Sequence, residues 1–234
     1  MTAQTSRVLT PLWGQAALAT IRSWGARYLN WFWGNAGNDR LTGGAVEDQL
    51  TGGVGNDELI GGRGGDALRA GPGNDIIRAG LGNDFLAGGP GNDLLIGSFG
   101  LDGTFASGSG NFRLTPTLLV GEGRDTLSAI ESAVIFGGPP SQEINAAWWR
   151  GETYLQGGRG DDYVLGGFGP DEIIGGFGND RLSGRGGRDS VSGGPGVDVL
   201  FSRDNRREQV AGGAGWDAAH VDALDITRGV EAFF

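Results

Sequence analysis

The chain has 234 residues, no cysteine, one histidine and a formal net charge of −10, and all 18 of its basic residues are arginine. That acidity argues against non-specific binding to nucleic acid, whose phosphates call for a basic surface; missing thiols and a lone imidazole leave little for zinc or copper. Glycine accounts for 49 residues, far above the usual share of about 7%, and no apolar run approaches the ~18 residues of a membrane span.

Residues 1–33 form a segment of their own. Trp13, Ala17, Ile21, Trp24, Tyr28 and Trp31 recur at spacings of three and four, the stripe of an amphipathic helix. Thr10 before Pro11 is a suitable N-cap with proline in the first turn. The spacing therefore predicts a short capping helix that closes the open end of the neighbouring repeats, as repeat arrays require. A Trp/Arg-rich helix lying on a membrane surface is the less favoured alternative. Ala17-Leu18-Ala19 has the small-x-small form of a cleavage site, but Pro11, Trp13, Gly14 and Gln15 interrupt the apolar region that a signal peptide needs. Gly25 to Trp33 also fits a nine-residue repeat loosely, with Asn30 in the sixth place and Phe32 in the eighth, so the first strand begins before the first clear repeat.

From Gly34 to Asp102 the chain repeats every nine residues: GNAGNDRLT, GGAVEDQLT, GGVGNDELI, GGRGGDALR, AGPGNDIIR, AGLGNDFLA, GGPGNDLLI and a fading GSFGLD. A second series runs from Gly157 to Phe201: GGRGDDYVL, GGFGPDEII, GGFGNDRLS, GRGGRDSVS and GGPGVDVLF. Six glycine-rich residues make a tight turn, and one aliphatic residue between two variable ones is strand alternation with a single buried face. The buried places are Leu41, Leu50, Leu59, Leu68, Ile77, Leu86 and Leu95, then Val164, Ile173, Leu182, Val191 and Leu200. Two such units complete one winding of a flattened coil, stacked at roughly 4.8 Å on the one before. Stacking sets Asp39, Asp57, Asp75 and Asp93 in one column and Asp48, Asp66, Asp84 and Asp102 in another. Like charges at that spacing repel unless a cation lies between them. Ca²⁺ suits the arrangement, because it takes 6–8 oxygen ligands from carboxylates and backbone carbonyls in flexible geometry, whereas Mg²⁺ demands a tight octahedron and keeps its waters. In the second unit Val46 replaces a glycine and Glu47 adjoins Asp48, so Asp48 fits the ligand pattern less well than the others.

These GGxGxDxUx nonapeptides resemble the RTX, or haemolysin-type calcium-binding, repeat family. The resemblance implies an all-β parallel β-roll with calcium held between turns one winding apart. It further implies export from a bacterium in unfolded form by a type I secretion system, with folding on external calcium. Residue by residue it assigns the metal-ligand role to Asp39, Asp57, Asp66, Asp75, Asp84, Asp93, Asp102, Asp125, Asp162, Asp171, Asp180, Asp189, Asp198 and Asp217.

Past Asp102 the phase is lost in a Ser/Gly-rich loop and returns out of register at VGEGRDTLS, where Asp125 and Leu127 take the ligand and core places. The outward places turn apolar before this break (Ile76, Phe85, Leu94, Ile96), so the segment 103–156 is expected to cover that wall. Ala129-Ile130-Glu131 and Gly229-Val230-Glu231 end the two blocks alike, and Gly138-Pro139-Pro140-Ser141 marks the junction. The predicted organisation is a capping segment (1–33), a first roll module (34–137) and a second (138–234). Trp148 and Trp149 are expected to cap the second roll rather than hold a sugar. After Phe201 the frame slips by one residue, which puts Glu208 in the ligand place and Val210 in the core place; GGAGWD ending at Asp217 is the last clear turn. The acid-then-apolar end, Glu231-Ala232-Phe233-Phe234, resembles the tail of type I secretion substrates.

No H-E-x-x-H, G-x-S-x-G or phosphate-binding loop is present, and His220 stands alone. The sequence reads as a secreted, extracellular calcium-binding β-roll with no catalytic site. The alternative is a calcium-stiffened module that binds a cell surface or polysaccharide, or serves as accessory to an extracellular enzyme.

Overall fold

A computed structural model describes residues 20–22 and 30–234. Every element among them is a strand. Except over residues 112–128, where three strands in a row belong to one sheet, successive strands alternate between two sheets, one of fourteen strands and one of eleven, and through the repeats each strand pairs in parallel with the one two places further along the chain. This is a parallel β-solenoid, or β-roll, all-β as expected.

The eighth-place residues produce it. Leu41, Leu59, Ile77 and Leu95 stand in register on one sheet, and Leu50, Leu68 and Leu86 on the other. All seven are 0% exposed, as are Val164, Ile173, Leu182 and Leu200. The two rows face each other and form a core one aliphatic layer thick. Each strand has a single inward side chain to hold it, so burial contributes no more than about 1.5–3 kcal/mol per repeat. Outside the core, Arg40 pairs with Glu58, and Arg78 lies 3.8 Å from the same carboxylate. Such exposed pairs add little.

The turns need their glycines for two reasons. Gly55 has φ of 134°, and a Cβ there would collide with the carbonyl of Gly37 one winding earlier. A Cβ on Gly52 would strike Asp57 Oδ2 and the Ala70 carbonyl. Positive φ serves the turn; the empty first place gives the carboxyl room.

Segment 103–156 differs from its expected role. It does not fold over the outer wall. Gly103–Gly108, Ser132–Gly137 and Glu152–Arg159 continue the eleven-stranded sheet, and Arg124–Ser128 continues the other. The apolar outward residues shield one another instead: Phe85, Phe105, Phe136 and Tyr154 form a row with ring centroids 5.6–6.0 Å apart. Within the segment, Phe112–Thr115, Leu118–Val120 and Arg124–Ser128 form an antiparallel meander, the one departure from parallel pairing among the described strands. Trp149 is 2% exposed and fills the core beside it, while Trp148 is 64% exposed. The two tryptophans thus sit between the blocks, one packed inside and one outside, not stacked as a pair.

At the N-terminal end, Thr20–Arg22 pairs with Arg40–Thr42, and Asn30–Ala36 pairs with Asp48–Val54. Phe32, 5% exposed, holds the core place that its loose fit to the repeat predicts. Ile21 and Trp31 therefore lie in strands, which overturns the helical reading at those residues: alternation around Phe32 prevails over the three-and-four spacing. Trp13, Ala17, Trp24 and Tyr28, and with them most of the expected capping helix, lie outside the described residues.

Candidate metal centre

Each sixth-place Asp sits where the turn enters a strand, its side chain folded back beneath its own turn. On one edge the backbone N–H of Asp39 donates to Asp57 Oδ1 (2.8 Å), that of Asp57 to Asp75 (2.6 Å), Asp75 to Asp93 (2.8 Å) and Asp93 to Asp125 (3.1 Å). On the other, Asp48 donates to Asp66 (2.8 Å), Asp66 to Asp84 (2.7 Å) and Asp84 to Asp102 (2.9 Å). The second block repeats the ladder through Asp162, Asp180, Asp198 and Asp217, each step 2.8 Å, and separately from Asp171 to Asp189 (3.0 Å). So every carboxylate predicted from the sequence lies in a column along one of the two edges, and all are buried.

The ladder N–H groups use Oδ1 alone. Oδ2 of Asp57, Asp66, Asp75, Asp84, Asp93, Asp102, Asp162, Asp180, Asp189, Asp198 and Asp217 is buried with no hydrogen-bond donor. A buried, unpartnered carboxylate oxygen is costly. Burial, followed in most cases by repulsion from neighbouring carboxylates, outweighs the ladder N–H that favours ionisation. Asp66, Asp75 and Asp93 are pushed up to about 7, and Asp102, Asp162, Asp180, Asp189 and Asp198 to about 6. Asp125, without an unpartnered oxygen of this kind, is also raised by burial to about 6. Asp57 and Asp84 move in the same direction for the same first cause.

Among the described residues no three Asp, Glu or His side chains group to hold a metal. Side chains alone therefore make no cage. The turns add rows of backbone oxygens: the carbonyls of Gly37, Gly55 and Gly73 follow one another up the edge, each pressed on the glycine one winding later. Sparse carboxylates completed by carbonyl oxygens form a hard, flexible donor set that fits Ca²⁺, and the orphaned Oδ2 atoms are where its charge is needed.

Several members of the ladders escape a motif search. Glu131 Oε2 accepts the Asp102 N–H (2.9 Å) and Glu231 Oε2 accepts that of Asp217 (2.7 Å), so the two similar block endings terminate columns. Asp225 accepts the N–H of Glu208 (3.1 Å). Glu208 itself is 1% exposed, and burial followed by the charges of Asp189, Asp204 and Asp225 pushes it up to about 9. Asp171 departs from its fellows: Thr153 Oγ1 donates to its Oδ1 (2.5 Å) and the Gly167 N–H to its Oδ2 (2.6 Å).

Fold and edge together define a protein of the parallel β-roll class with acidic, glycine-turned edges. Residues 33–68, 60–95, 69–103, 154–173 and 165–200 match the RTX calcium-binding nonapeptide repeat. Those matches span half of the chain, and the protein belongs to the RTX calcium-binding repeat family. No curated protein matches the chain.

Proposed function

We propose that the protein is a secreted, non-enzymatic β-roll in which calcium between stacked turns is the folding switch. The observation that carries this reading is the column of buried Oδ2 atoms with no donor. Without a cation each column is a line of desolvated like charges against a core one residue thick. With one, repulsion becomes attraction, and binding free energy becomes folding free energy. The ligands in this reading are the sixth-place Asp of each turn, Asp39 through Asp102 apart from the poorly matched Asp48, then Asp125, and Asp162 through Asp217, in modules 34–137 and 138–234. Extracellular sites of this type bind at about 10⁻⁴–10⁻³ M. Cytosolic calcium would leave the chain loose for export, and calcium outside the cell would close it.

A second reading, a calcium-stiffened module that meets a cell surface or polysaccharide, draws on one exposed group. Phe168 carries Arg150 and Arg185 at 5.8 and 5.9 Å from its ring, and Trp148 stands exposed two residues before Arg150.

The test is a calcium titration of chelated protein, followed by far-UV circular dichroism and by bound metal in equilibrium dialysis. A cooperative gain of β signal coinciding with uptake of several ions is expected. An unchanged spectrum with no bound calcium at millimolar concentration would overturn the reading.

A further inference from the structure

Both sheets run through segment 103–156, but the carboxylate columns of the first block stop at Asp125 and Glu131. On one edge the ladder position before Asp162 belongs to Gln142, 4% exposed; on the other, Thr153, 2% exposed, pairs with Asp171. Gln142 keeps the backbone habit of the column, its N–H donating to Asp162 Oδ1 at 2.8 Å. Its side chain does something no Asp can. Nε2 donates to the carbonyls of Gly138 (2.9 Å) and Gly108 (3.3 Å), and Oε1, buried without a donor like the Oδ2 atoms, bears no charge. Thr153 has the matching effect on its edge. With its hydroxyl and the Gly167 N–H, both oxygens of Asp171 are engaged without metal.

The core changes at the same place. Ser132–Gly137 and Glu152–Arg159 keep one large core side chain each, Ile135 and Leu155, but in the register of Asp171 they bury the uncharged Ala133 and Thr153. The antiparallel meander adds Phe112, Leu114, Leu119 and Leu127, and Trp149 packs with them. Register shifts too. Leu86 aligns with Thr104, Thr104 with Ala133, Ala133 with Thr153, and Thr153 with Asp171, so a core row of the first block runs into a carboxylate column of the second. A two-residue step preserves which side chains face inward, yet it leaves the columns on that edge out of line.

Resting on the calcium reading, we propose that residues 132–156, beyond the last acids of the first columns, are a calcium-independent joint, with Gln142 and Thr153 standing in for metal. The joint stays folded when the flanking arrays are empty and separates them into two groups of sites that do not share charge. Amide-for-cation replacement removes the repulsion locally, and the apolar side chains of the adjoining meander and Trp149 add burial that the single-layer windings lack.

Hydrogen–deuterium exchange of the full chain, with and without calcium, tests this. In chelator the strand amides of 133–136, 144–145 and 153–156 should exchange at least ten-fold more slowly than those of 49–51, 58–60, 172–174 and 190–192; calcium should then slow the flanks. Gln142→Asp should make protection at 143–145 depend on calcium. If the flanks respond to calcium but the joint exchanges as fast as they do in chelator, the joint is refuted while the calcium switch stands. If Gln142→Asp leaves protection at 143–145 independent of calcium, the role given to Gln142 is refuted. Flanks unmoved by calcium would instead overturn the calcium reading itself.

Discussion

Mild acid should stabilise the calcium-free protein, opposite to the usual effect of acid on an acidic protein. Ten aspartates and Glu208 are raised to between about 6 and about 9 in the folded chain, first by burial. In the unfolded chain an Asp returns to about 3.9. Between those limits the folded state binds more protons than the unfolded state, so stability is fully present below the unfolded value and is lost as pH rises through about 6–7. Each extra proton gives a slope of about −1.4 kcal/mol per pH unit. Protonating one carboxyl relieves its neighbours, so a column takes up fewer protons than it has members. Taking one in three, roughly four protons, the slope is about −5 kcal/mol per unit, comparable with the whole stability of a small domain. Urea unfolding of chelated protein at pH 5, 6 and 7, followed by far-UV circular dichroism, measures it, and the midpoint should fall as pH rises. With saturating calcium the sign should reverse, because protons then compete with the metal. A midpoint that rises with pH in chelator would refute the argument that the columns are repulsive without a cation.

Other perturbations separate the contributions. Asp75→Asn keeps an acceptor for the Asp57 N–H and removes the buried charge, so it should stabilise chelated protein by about 1–4 kcal/mol at pH 7.5 and weaken calcium binding; dialysis and urea titration read both. Leu59→Ala empties a fully buried core place and should cost about 2–5 kcal/mol with calcium bound, measured by the same unfolding. Gly55→Ala forces a side chain onto positive φ and onto the Gly37 carbonyl, so it should lower stability by more than the ~1 kcal/mol of an ordinary turn change. Magnesium at ten times the calcium concentration should fail to restore the β signal, because one free carboxylate oxygen per turn and stacked carbonyls do not form a tight octahedron.

The coil was legible wherever the period held. A strict nine-residue repeat fixes which side chain faces inward, which glycine must turn and where each carboxylate stacks, so Leu41 through Leu95 and Asp39 through Asp102 could be placed from sequence alone. Beyond Asp102 the same logic loses its frame. Gln142 and Thr153 belong to no repeat, and their positions depend on a meander and a two-residue register step that have no periodic signature. Glu131 and Glu231 could have been found, since the similar block endings place an acid at the same point, but reading them only as block endings hid their place in the ladder. The N-terminal stripe misled at Ile21 and Trp31 because aromatic residues spaced by three and four also satisfy a loose nonapeptide. There Phe32 decides in favour of strand.

The ladder explains why this fold would answer to a cation rather than merely tolerate one. Backbone N–H groups use Oδ1 in every winding, which fixes each carboxylate in place and orders the column without neutralising it. Were both oxygens engaged by hydrogen-bond donors, as at Asp171, less of the charge would be left for a metal to answer; were neither engaged, the carboxylates could swing apart into water. At the aspartates whose Oδ2 has no donor, Asp57 and Asp75 among them, half-satisfaction holds the charges close together and leaves one oxygen buried and unanswered. Because the same geometry recurs at each winding, the penalty of the empty state grows with the number of turns, while the aliphatic core adds only one side chain per strand. A longer array therefore depends more on calcium, and an interruption such as Gln142 limits how far that dependence extends.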